Sequence, residues 1–161
     1  MAPVVEEHPE VQVFDEIGMI EVGVRTIITR CLPVGVTYPQ FEVMNHLARR
    51  GEHQTPAQIA TALQMTPGAI TNTLQRLEAT GLASAEPDAL DGRKKRVAMT
   101  PAGRQAYGRA MAAIKPRMSS LREAFTQKEF REVLPFLRAL RDWMEETAQA
   151  TGAAAATLAA E

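Results

Sequence analysis

Three Thr-Pro pairs, at residues 55–56, 66–67 and 100–101, constrain the fold of this chain more than any other feature. Threonine is a favourable helix N-cap, and proline fits the first helical position because its missing N–H has no helical partner to lose. The first two pairs lie close together, so a short helix must end just before the next one begins. We therefore predict helices over residues 55–64, 66–80 and 101–124.

Capping boxes of the form Thr-x-x-Gln or Thr-x-x-Glu begin at Thr37, Thr55 and Thr126. In this motif the threonine hydroxyl and the N3 side chain each accept a backbone N–H at the start of the helix. Gly51 and Gly81 stand where preceding helices should end, since glycine tolerates the left-handed conformation common there. These signals add helices over residues 38–50 and 126–149.

Apolar residues recur every three or four positions along three stretches, which is the spacing of one helix face. The stretches are residues 9–32, which end at Pro33 and Gly35, and then 107–125 and 130–144. Three long stripes exceed what one small core needs, so they favour helix-on-helix association between two chains. The first stripe consists of Val13, Ile17, Ile20, Val24, Ile27 and Cys31.

The helical period stops between Gly81 and Thr100, where the sequence predicts two strands, at about 82–86 and 95–100. An Asp91-Gly92 turn and four consecutive cations, residues 93–96, lie between or at the start of these strands. The chain has a formal net charge of only −1, but this charge is segregated. Residues 1–48 carry −5, residues 49–117 carry +6 and residues 118–161 carry −2. A basic middle between acidic ends indicates a polyanionic partner for the middle alone.

The predicted helix over residues 66–80 has one apolar face, made of Ile70, Leu74 and Leu77, and one small, polar, almost uncharged face. A merely solvated face normally carries more Glu and Lys, whereas small polar residues allow close approach to a groove and contact with base edges. Together with the basic hairpin, this helix predicts a winged helix-turn-helix. The polar face is predicted to consist of Gly68, Ala69, Thr71, Asn72, Thr73, Gln75 and Arg76.

The cations of the hairpin are predicted to lie along DNA. Arg93, at the tip, is expected to enter a minor groove, where narrow A·T-rich DNA concentrates negative potential. Lys94, Lys95 and Arg96 alternate in direction along a strand, so only some of them can neutralise phosphates. The alternative is that the run of cations is simply a solvated turn, and the helix that precedes it weakens this alternative.

Residues 37–126 resemble the MarR (multiple antibiotic resistance regulator) family of winged-helix transcription factors. The resemblance is strongest in GAITNTLQRLEATGL, which is similar to the recognition helix of the family, and in DGRKKRVAMTPAG, which is similar to its wing. It implies a homodimer that binds a pseudo-palindromic operator in double-stranded DNA, usually as a repressor. Asp91 and Arg93 match the wing pair of the family, in which the acid holds the arginine. Gly92 departs from the pattern, because the family often has another basic residue there.

The predicted fold is mainly α with a small β-hairpin wing, a winged helix-turn-helix with N- and C-terminal dimerisation helices. We divide the chain into a dimerisation helix (1–36), a DNA-binding lobe (37–100), C-terminal dimerisation helices (101–150) and an Ala-rich tail (151–161). The residues predicted to contact DNA are Thr66, Gly68, Ala69, Thr71, Asn72, Thr73, Arg76, Asp91, Arg93, Lys94 and Lys95.

The resemblance also implies a small effector, such as an aromatic acid, a phenol or a thioester, between the dimerisation helices and the lobe. Arg25 is the most distinctive candidate, because a cation in an apolar and acidic helix suits a carboxylate ligand. An ion pair with Glu21, one turn earlier, explains it equally well. For the apolar candidates, core or interface packing is the alternative. The candidate residues are Met19, Arg25, Phe41, Met44, Asn45 and Met111.

Other functional classes lack their motifs. Three scattered histidines and one cysteine do not form a metal-binding pattern, so we predict no metal, no cofactor and no enzyme. Cys31 ends the first apolar stripe and is expected to pack rather than to sense oxidants. With no membrane-spanning run or signal peptide, a cytoplasmic location is expected. Two alternatives stay open, a DNA-binding regulator or activator without an effector and a helical protein-interaction adaptor.

Overall fold

The computed structural model describes residues 8–89, 91–92 and 94–158, with residues 149–158 as backbone only. The helices are α1 (Pro9–Cys31), α2 (Tyr38–Arg50), α3 (Pro56–Ala62), α4 (Pro67–Ala79), α5 (Pro101–Ala124) and α6 (Gln127–Leu158). The strands β1 (Ala83–Pro87) and β2 (Lys95–Met99) form one antiparallel hairpin. These elements confirm the predicted fold class, mainly helical with a hairpin wing.

Two of the predicted capping boxes form with both of their hydrogen bonds. The Thr55 hydroxyl accepts from the Gln58 N–H (3.2 Å), and Gln58 Oε1 accepts from the Thr55 N–H (2.9 Å). The same reciprocal pair joins Thr126 and Glu129 before α6, at 3.2 and 2.7 Å. Each pair satisfies backbone donors that the helix itself leaves without a partner, which explains why these helices begin where the sequence predicts.

The helix ends agree less evenly with prediction. Gly51 and Gly81 follow α2 and α4 with φ of +104° and +69°, the region that favours glycine. The last helix, predicted to end at residue 149, instead continues to Leu158. The residues after Gly152 are mostly alanine, which has the highest helix propensity, so this sequence does not stop a helix.

The chain divides into two compact units, Met1–Pro116 and Arg117–Glu161. In the first unit, α2, α3, α4 and the hairpin surround one apolar core, and with the adjoining part of α5 they form what we term the winged lobe. A second cluster joins Phe41 of α2 to Ala110 and Ile114 of α5. Cys31 is half-buried against this cluster, in agreement with its predicted packing role. The largest fully buried side chains of the lobe are Met44, Leu47, Ile59, Leu77, Val43 and Val97.

The start of α5 is fastened to the turn between α4 and β1. The Thr100 hydroxyl donates to the Gly81 carbonyl (2.6 Å), and the Thr100 N–H donates to the Leu82 carbonyl (3.1 Å). Gly103 then passes so close to Leu82 that an added Cβ would lie 1.9 Å from the Leu82 oxygen. Glycine at this position therefore permits the close approach that sets the hairpin against α5.

Most of the apolar stripe residues of α1 and α6 are exposed in the single chain. In the second unit, the rings of Phe125 and Phe130 meet edge to face across the turn before α6, with centroids 6.0 Å apart. Among the α6 side chains that the structure describes, most large apolar ones are exposed. The exposed apolar residues of α6 are Phe130, Val133, Leu134, Phe136, Leu137, Trp143 and Met144.

Candidate nucleic-acid interface

α4 begins at a threonine N-cap and turns one face into the core of the winged lobe. The Thr66 hydroxyl accepts from the Ala69 N–H (3.2 Å), and Pro67 occupies the first turn. The first N–H groups of a helix have no acceptor within the helix, and this cap provides one for the Ala69 N–H. The apolar residues predicted to face inward are all buried, namely Ile70, Leu74 and Leu77.

The opposite face of α4 is exposed and nearly free of charge. The Asn72 side chain makes no hydrogen bond with any residue that the structure describes, so its amide donor and its amide oxygen are both available. The Thr71 hydroxyl donates to the Pro67 carbonyl (2.7 Å), which leaves the oxygen lone pairs as acceptors. The exposed residues predicted to contact DNA are Thr66, Gly68, Ala69, Thr71, Asn72 and Arg76.

Thr73 is a correction to the predicted face. Its side chain is only 7% exposed, and its hydroxyl donates to the Ala69 carbonyl (2.9 Å) inside the helix. Thr73 lies three residues after Ile70 and four before Leu77, which is the spacing of the inward stripe rather than of the outer face. Thr73 was predicted on the outer face because its side chain is polar, although its position belongs to the inward stripe. At 7% exposure it has almost no surface on which to meet DNA.

The wing carries its cations on the turn and on β2. Lys94 and Lys95 are exposed, whereas Arg96 is half-buried and directed to Asp88. Lys94 Nζ lies 3.6 Å from Asp91 Oδ2. Which of these cations neutralise phosphates stays a prediction, and Lys94 and Lys95 are the exposed ones in the described part of the wing. Arg93 lies outside the described residues, so its predicted entry into a minor groove, with Asp91 holding it, stays a prediction.

A cleft of about 560 Å³ separates the start of α3 from the wing. Residues 55–58 form one wall and residues 94–96 form the other. One wall thus offers hydroxyl and amide groups, and the other offers cationic side chains. Polar groups of α3 and cations of the wing therefore face each other across this cleft.

Sequence analysis missed the contact at the base of the wing, between Asp88 and Arg96. Asp88 was not singled out, because one acid among the turn residues of a hairpin has no distinguishing pattern. Its partner is evident only from the strand register, in which Glu86 faces Arg96 and Asp88 follows two residues later. The available signal was an acidic residue directly after β1, close to the cations at the start of β2.

Comparison with known families matches the model of the MarR family to residues 34–94, which include α2, α3, α4 and β1. Within these residues the chain is similar to the MarR family. Among curated proteins, no sequence matches the chain significantly.

Solved structures with the MarR-family fold match over most of their length. The transcriptional regulator BldR from Sulfolobus solfataricus is 24% identical with a TM-score of 0.72, covering 83% of this chain and 94% of that one. A mutant of MarR from E. coli complexed with operator DNA is 21% identical with a TM-score of 0.71, covering 81% and 94%. BpsR from Bordetella bronchiseptica, whose DNA binding is regulated by 6-hydroxynicotinic acid, is 21% identical with a TM-score of 0.69, covering 81% and 98%. At these identities the likenesses show the fold.

The residues predicted to bind an effector have differing surroundings. The Phe41 ring stacks on Tyr107 with centroids 6.0 Å apart, and the Tyr107 hydroxyl donates to Asn45 Oδ1 (3.0 Å). Met44 instead lies within the core of the winged lobe and is fully buried. Met19 and Met111 are exposed. Packing thus accounts for Met44, while Tyr107, which sequence analysis treated only as part of a stripe, connects Phe41 and Asn45.

Arg25 lies at the junction of α1 and α2 in a charged cluster. Its Nε donates to Glu21 Oε1 (2.8 Å), the ion pair that sequence analysis weighed as the alternative to a ligand. Its guanidinium carbon also lies 5.1 Å from the centroid of the Tyr38 ring. The hydrogen bond and charge of Glu21 raise the pKa of Arg25 above its ordinary value. Burial raises the pKa of the Tyr38 hydroxyl and that of the Glu42 carboxyl with which it is hydrogen-bonded.

Two other features that would bear on function are a metal site and a membrane-spanning helix. Within the described residues, no three His, Cys, Asp or Glu side chains are grouped so that they would hold a metal ion. None of the helices in these ranges has the length and apolar character to cross a membrane.

Proposed function

We propose that this protein is a homodimeric repressor that binds a pseudo-palindromic operator through α4 and the wing of each copy. The observation that carries the proposal is the exposed, almost uncharged face of α4 beside a basic wing. The face of α4 supplies small and amide side chains suited to base edges, and Lys94 and Lys95 supply charge suited to phosphates. In a two-fold dimer, the two α4 helices would enter successive major grooves about 34 Å apart.

The exposed apolar stripes support the homodimer. Large contiguous apolar surfaces are rare on monomeric soluble proteins, because leaving them in water is unfavourable. α1 exposes Ile20, Val24 and Ile27, and α6 exposes a broader face along much of its length. A second copy presents the same helices, so a two-fold interface would bury both stripes at once. The acidic end helices would then form the dimer handle, away from DNA.

A small aromatic acid is the effector that the α1–α2 region fits best. Arg25 offers a guanidinium, Tyr38 offers an aromatic face, and Phe41 with Tyr107 offers a second one. The relative BpsR responds to an aromatic hydroxy acid, which supports this chemical class. Arg25 is already paired with Glu21, so a carboxylate ligand would have to displace the Glu21 side chain. An effector acts only if it binds the DNA-incompetent state more tightly than the competent one.

The occupied state of Arg25 also favours the second candidate, a DNA-binding regulator without a small-molecule input. An exposed ion pair contributes little to stability, but it lowers the attraction of the guanidinium for another carboxylate. A thermal-shift series with benzoate, salicylate, phenol and aromatic thioesters separates the candidates, since a ligand of the native state raises the midpoint. For the first candidate, Glu21→Gln should enlarge the shift produced by the acids but not by phenol. Absence of any shift in both proteins would support the second candidate.

Binding-site selection from random duplex DNA tests the proposed function. We expect an inverted repeat, bound with an affinity that falls steeply as salt rises, because each phosphate contact releases counterions. Lys95→Ala should weaken binding, and the matched Lys128→Ala on α6 should not, although both variants lose one positive charge. Arg93→Ala should weaken binding strongly and leave dimerisation unchanged. If a folded dimer enriches no sequence, the chain is better described as a protein-interaction adaptor.

A further inference from the structure

The base of the wing is organised around Asp88, whose side chain is buried although the chain around it is exposed. Asp88 is 8% exposed, and its two carboxylate oxygens have different partners. Asp88 Oδ2 accepts from Arg96 Nε on β2, and Asp88 Oδ1 accepts from the Asp91 N–H (3.2 Å) in the turn. One carboxylate therefore joins the strand to the tip of the wing.

The backbone of the same turn is closed by two further hydrogen bonds. The Asp88 N–H donates to the Lys94 carbonyl, and the Lys94 N–H donates to the Asp91 carbonyl, both at 2.8 Å. Because Lys94 makes both of these bonds and Lys95 follows it directly, the direction in which the two lysines leave the wing depends on the turn that Asp88 holds.

Arg96 extends this connection from the wing to the loop between α2 and α3. Its Nη1 donates to the His53 carbonyl (3.2 Å) while its Nε donates to Asp88. The planar guanidinium holds two partners in a fixed relation, which the single point charge of a lysine does not reproduce. Arg96 thus uses its Nε and Nη1 donors inside the protein and is half-buried, whereas Lys94 and Lys95 are exposed.

The loop that Arg96 contacts is itself held in place. His53 has a φ of +64°, which is uncommon for a residue with a side chain, and its N–H donates to the Val97 carbonyl (2.8 Å). The Val97 N–H donates to the Gln54 carbonyl (2.9 Å), and the Gln54 side chain is bonded to His46 of α2 (2.9 Å). The wing is therefore tied through Arg96 and β2 to α2, on which α4 also packs.

We propose that Asp88 and Arg96 are positioning residues for DNA binding, which hold Lys94 and Lys95 across the cleft from the start of α3. This inference rests on the proposed function. For a variant without the Asp88 charge, it predicts a change in DNA affinity opposite in sign to the change expected from charge alone. Removing an acid from a surface that meets a polyanion should tighten binding by reducing repulsion. If Asp88 holds the wing, removing its charge should weaken binding, because the lysines no longer lie where the phosphates are.

The test compares Asp88→Asn with Glu86→Gln, which removes the same charge from an exposed position on β1 of the same wing. On the duplex selected by the parent protein, we expect Asp88→Asn to bind about tenfold more weakly, while Glu86→Gln binds equally or more tightly. The dependence of affinity on salt, from about 50 to 200 mM, should become shallower for Asp88→Asn by about one unit for each phosphate that the lysines no longer reach.

A second variant guards against a folding defect. Arg96→Lys keeps the charge, so a role limited to charge predicts unchanged binding, whereas positioning predicts weaker binding with the same shallower salt dependence. Tight binding by both variants would overturn the inference, as would weaker binding with an unchanged salt dependence, because a lower folded fraction alone gives that result. If the parent protein itself selects no duplex, the proposed function fails and the inference fails with it.

Discussion

The winged lobe and the long helices α1 and α6 use the same kinds of apolar residue in opposite ways. Leu47 of the lobe is 1% exposed, whereas Leu137 of α6 is 39% exposed. Within the lobe, three helices and a hairpin each turn one face to a common core. On α1 and α6 the stripe has the same helical spacing but is mostly uncovered. We therefore expect one chain to be sufficient for the lobe, and a second copy to cover the long helices.

The exposed surfaces of the two regions differ as well. The uncovered face of α4 is small and polar, with an amide at Asn72, whereas the uncovered face of α6 carries Phe136 and Trp143. Polar faces of this kind keep their groups hydrated until DNA replaces water, whereas an apolar face gains from being covered permanently. DNA binding is therefore expected of one region and dimerisation of the other.

Replacing one leucine in each region should give the largest effects and test this division. Leu47→Ala should lower the free energy of unfolding by about 2–5 kcal/mol at every protein concentration, because it leaves a cavity in the lobe. Leu137→Ala should instead weaken dimerisation, so its effect on the thermal midpoint should grow as the protein is diluted. Chemical denaturation and thermal melts over a range of concentrations provide the measurement. A destabilisation by Leu137→Ala that does not depend on concentration would contradict the role of α6 in dimerisation.

Two glycines of α5 should respond with opposite signs to the same substitution. Gly103→Ala should lower the free energy of unfolding by about 1–3 kcal/mol, because its Cβ would overlap the Leu82 carbonyl. Gly108→Ala meets no atom within 4 Å and should raise stability by up to about 1 kcal/mol, since alanine favours a helix. Urea denaturation of both variants measures the difference. Equal effects would mean that α5 does not approach the hairpin as described.

Asn72→Ala tests the polar face of the lobe without touching either core. It should lose about 1–3 kcal/mol of binding free energy on the selected site and little on random DNA, because it removes a base contact. Dimerisation and the thermal midpoint should not change. Fluorescence anisotropy with the two kinds of duplex gives the affinities. Equal losses on both duplexes would reassign Asn72 to the DNA backbone.

Glu42→Gln should have the smallest effect and an unusual dependence on pH. Burial raises the pKa of Glu42 in the folded protein, so the folded state binds its proton more tightly than the unfolded state. The stabilising contribution is then present below the unfolded pKa of the carboxyl and is lost as pH rises through the raised folded value. The neutral amide should therefore stabilise the protein relative to Glu42 at pH 7, by less than about 1 kcal/mol because solvent screens a half-buried charge.

Thermal melts of Glu42→Gln and the parent protein at pH 4 and pH 7 measure this dependence. The advantage of the variant should disappear at pH 4. A larger advantage at pH 4 than at pH 7 would reverse the assigned shift and would mean that the α1–α2 junction favours the charged carboxylate.

Local signals predicted most of this fold because they act within one turn of helix. The Thr55 and Thr126 capping boxes and the glycine after α4 specify where a helix starts or stops without reference to distant residues. Thr73 was misplaced because its polarity outweighed its position in the stripe. The Asp88–Arg96 contact depends on strand register, so it does not follow from local pattern alone.

The number of chains bound to one selected duplex tests the central claim most directly. Sedimentation velocity of the protein with the selected inverted repeat, and with the same duplex after one half-site is scrambled, gives the mass of each complex. We expect two chains on the intact site, joined through α1 and α6, and a large loss of affinity when either half-site is scrambled. A single chain bound with full affinity to one half-site would contradict this claim, because the long helices would then have no second copy to cover them.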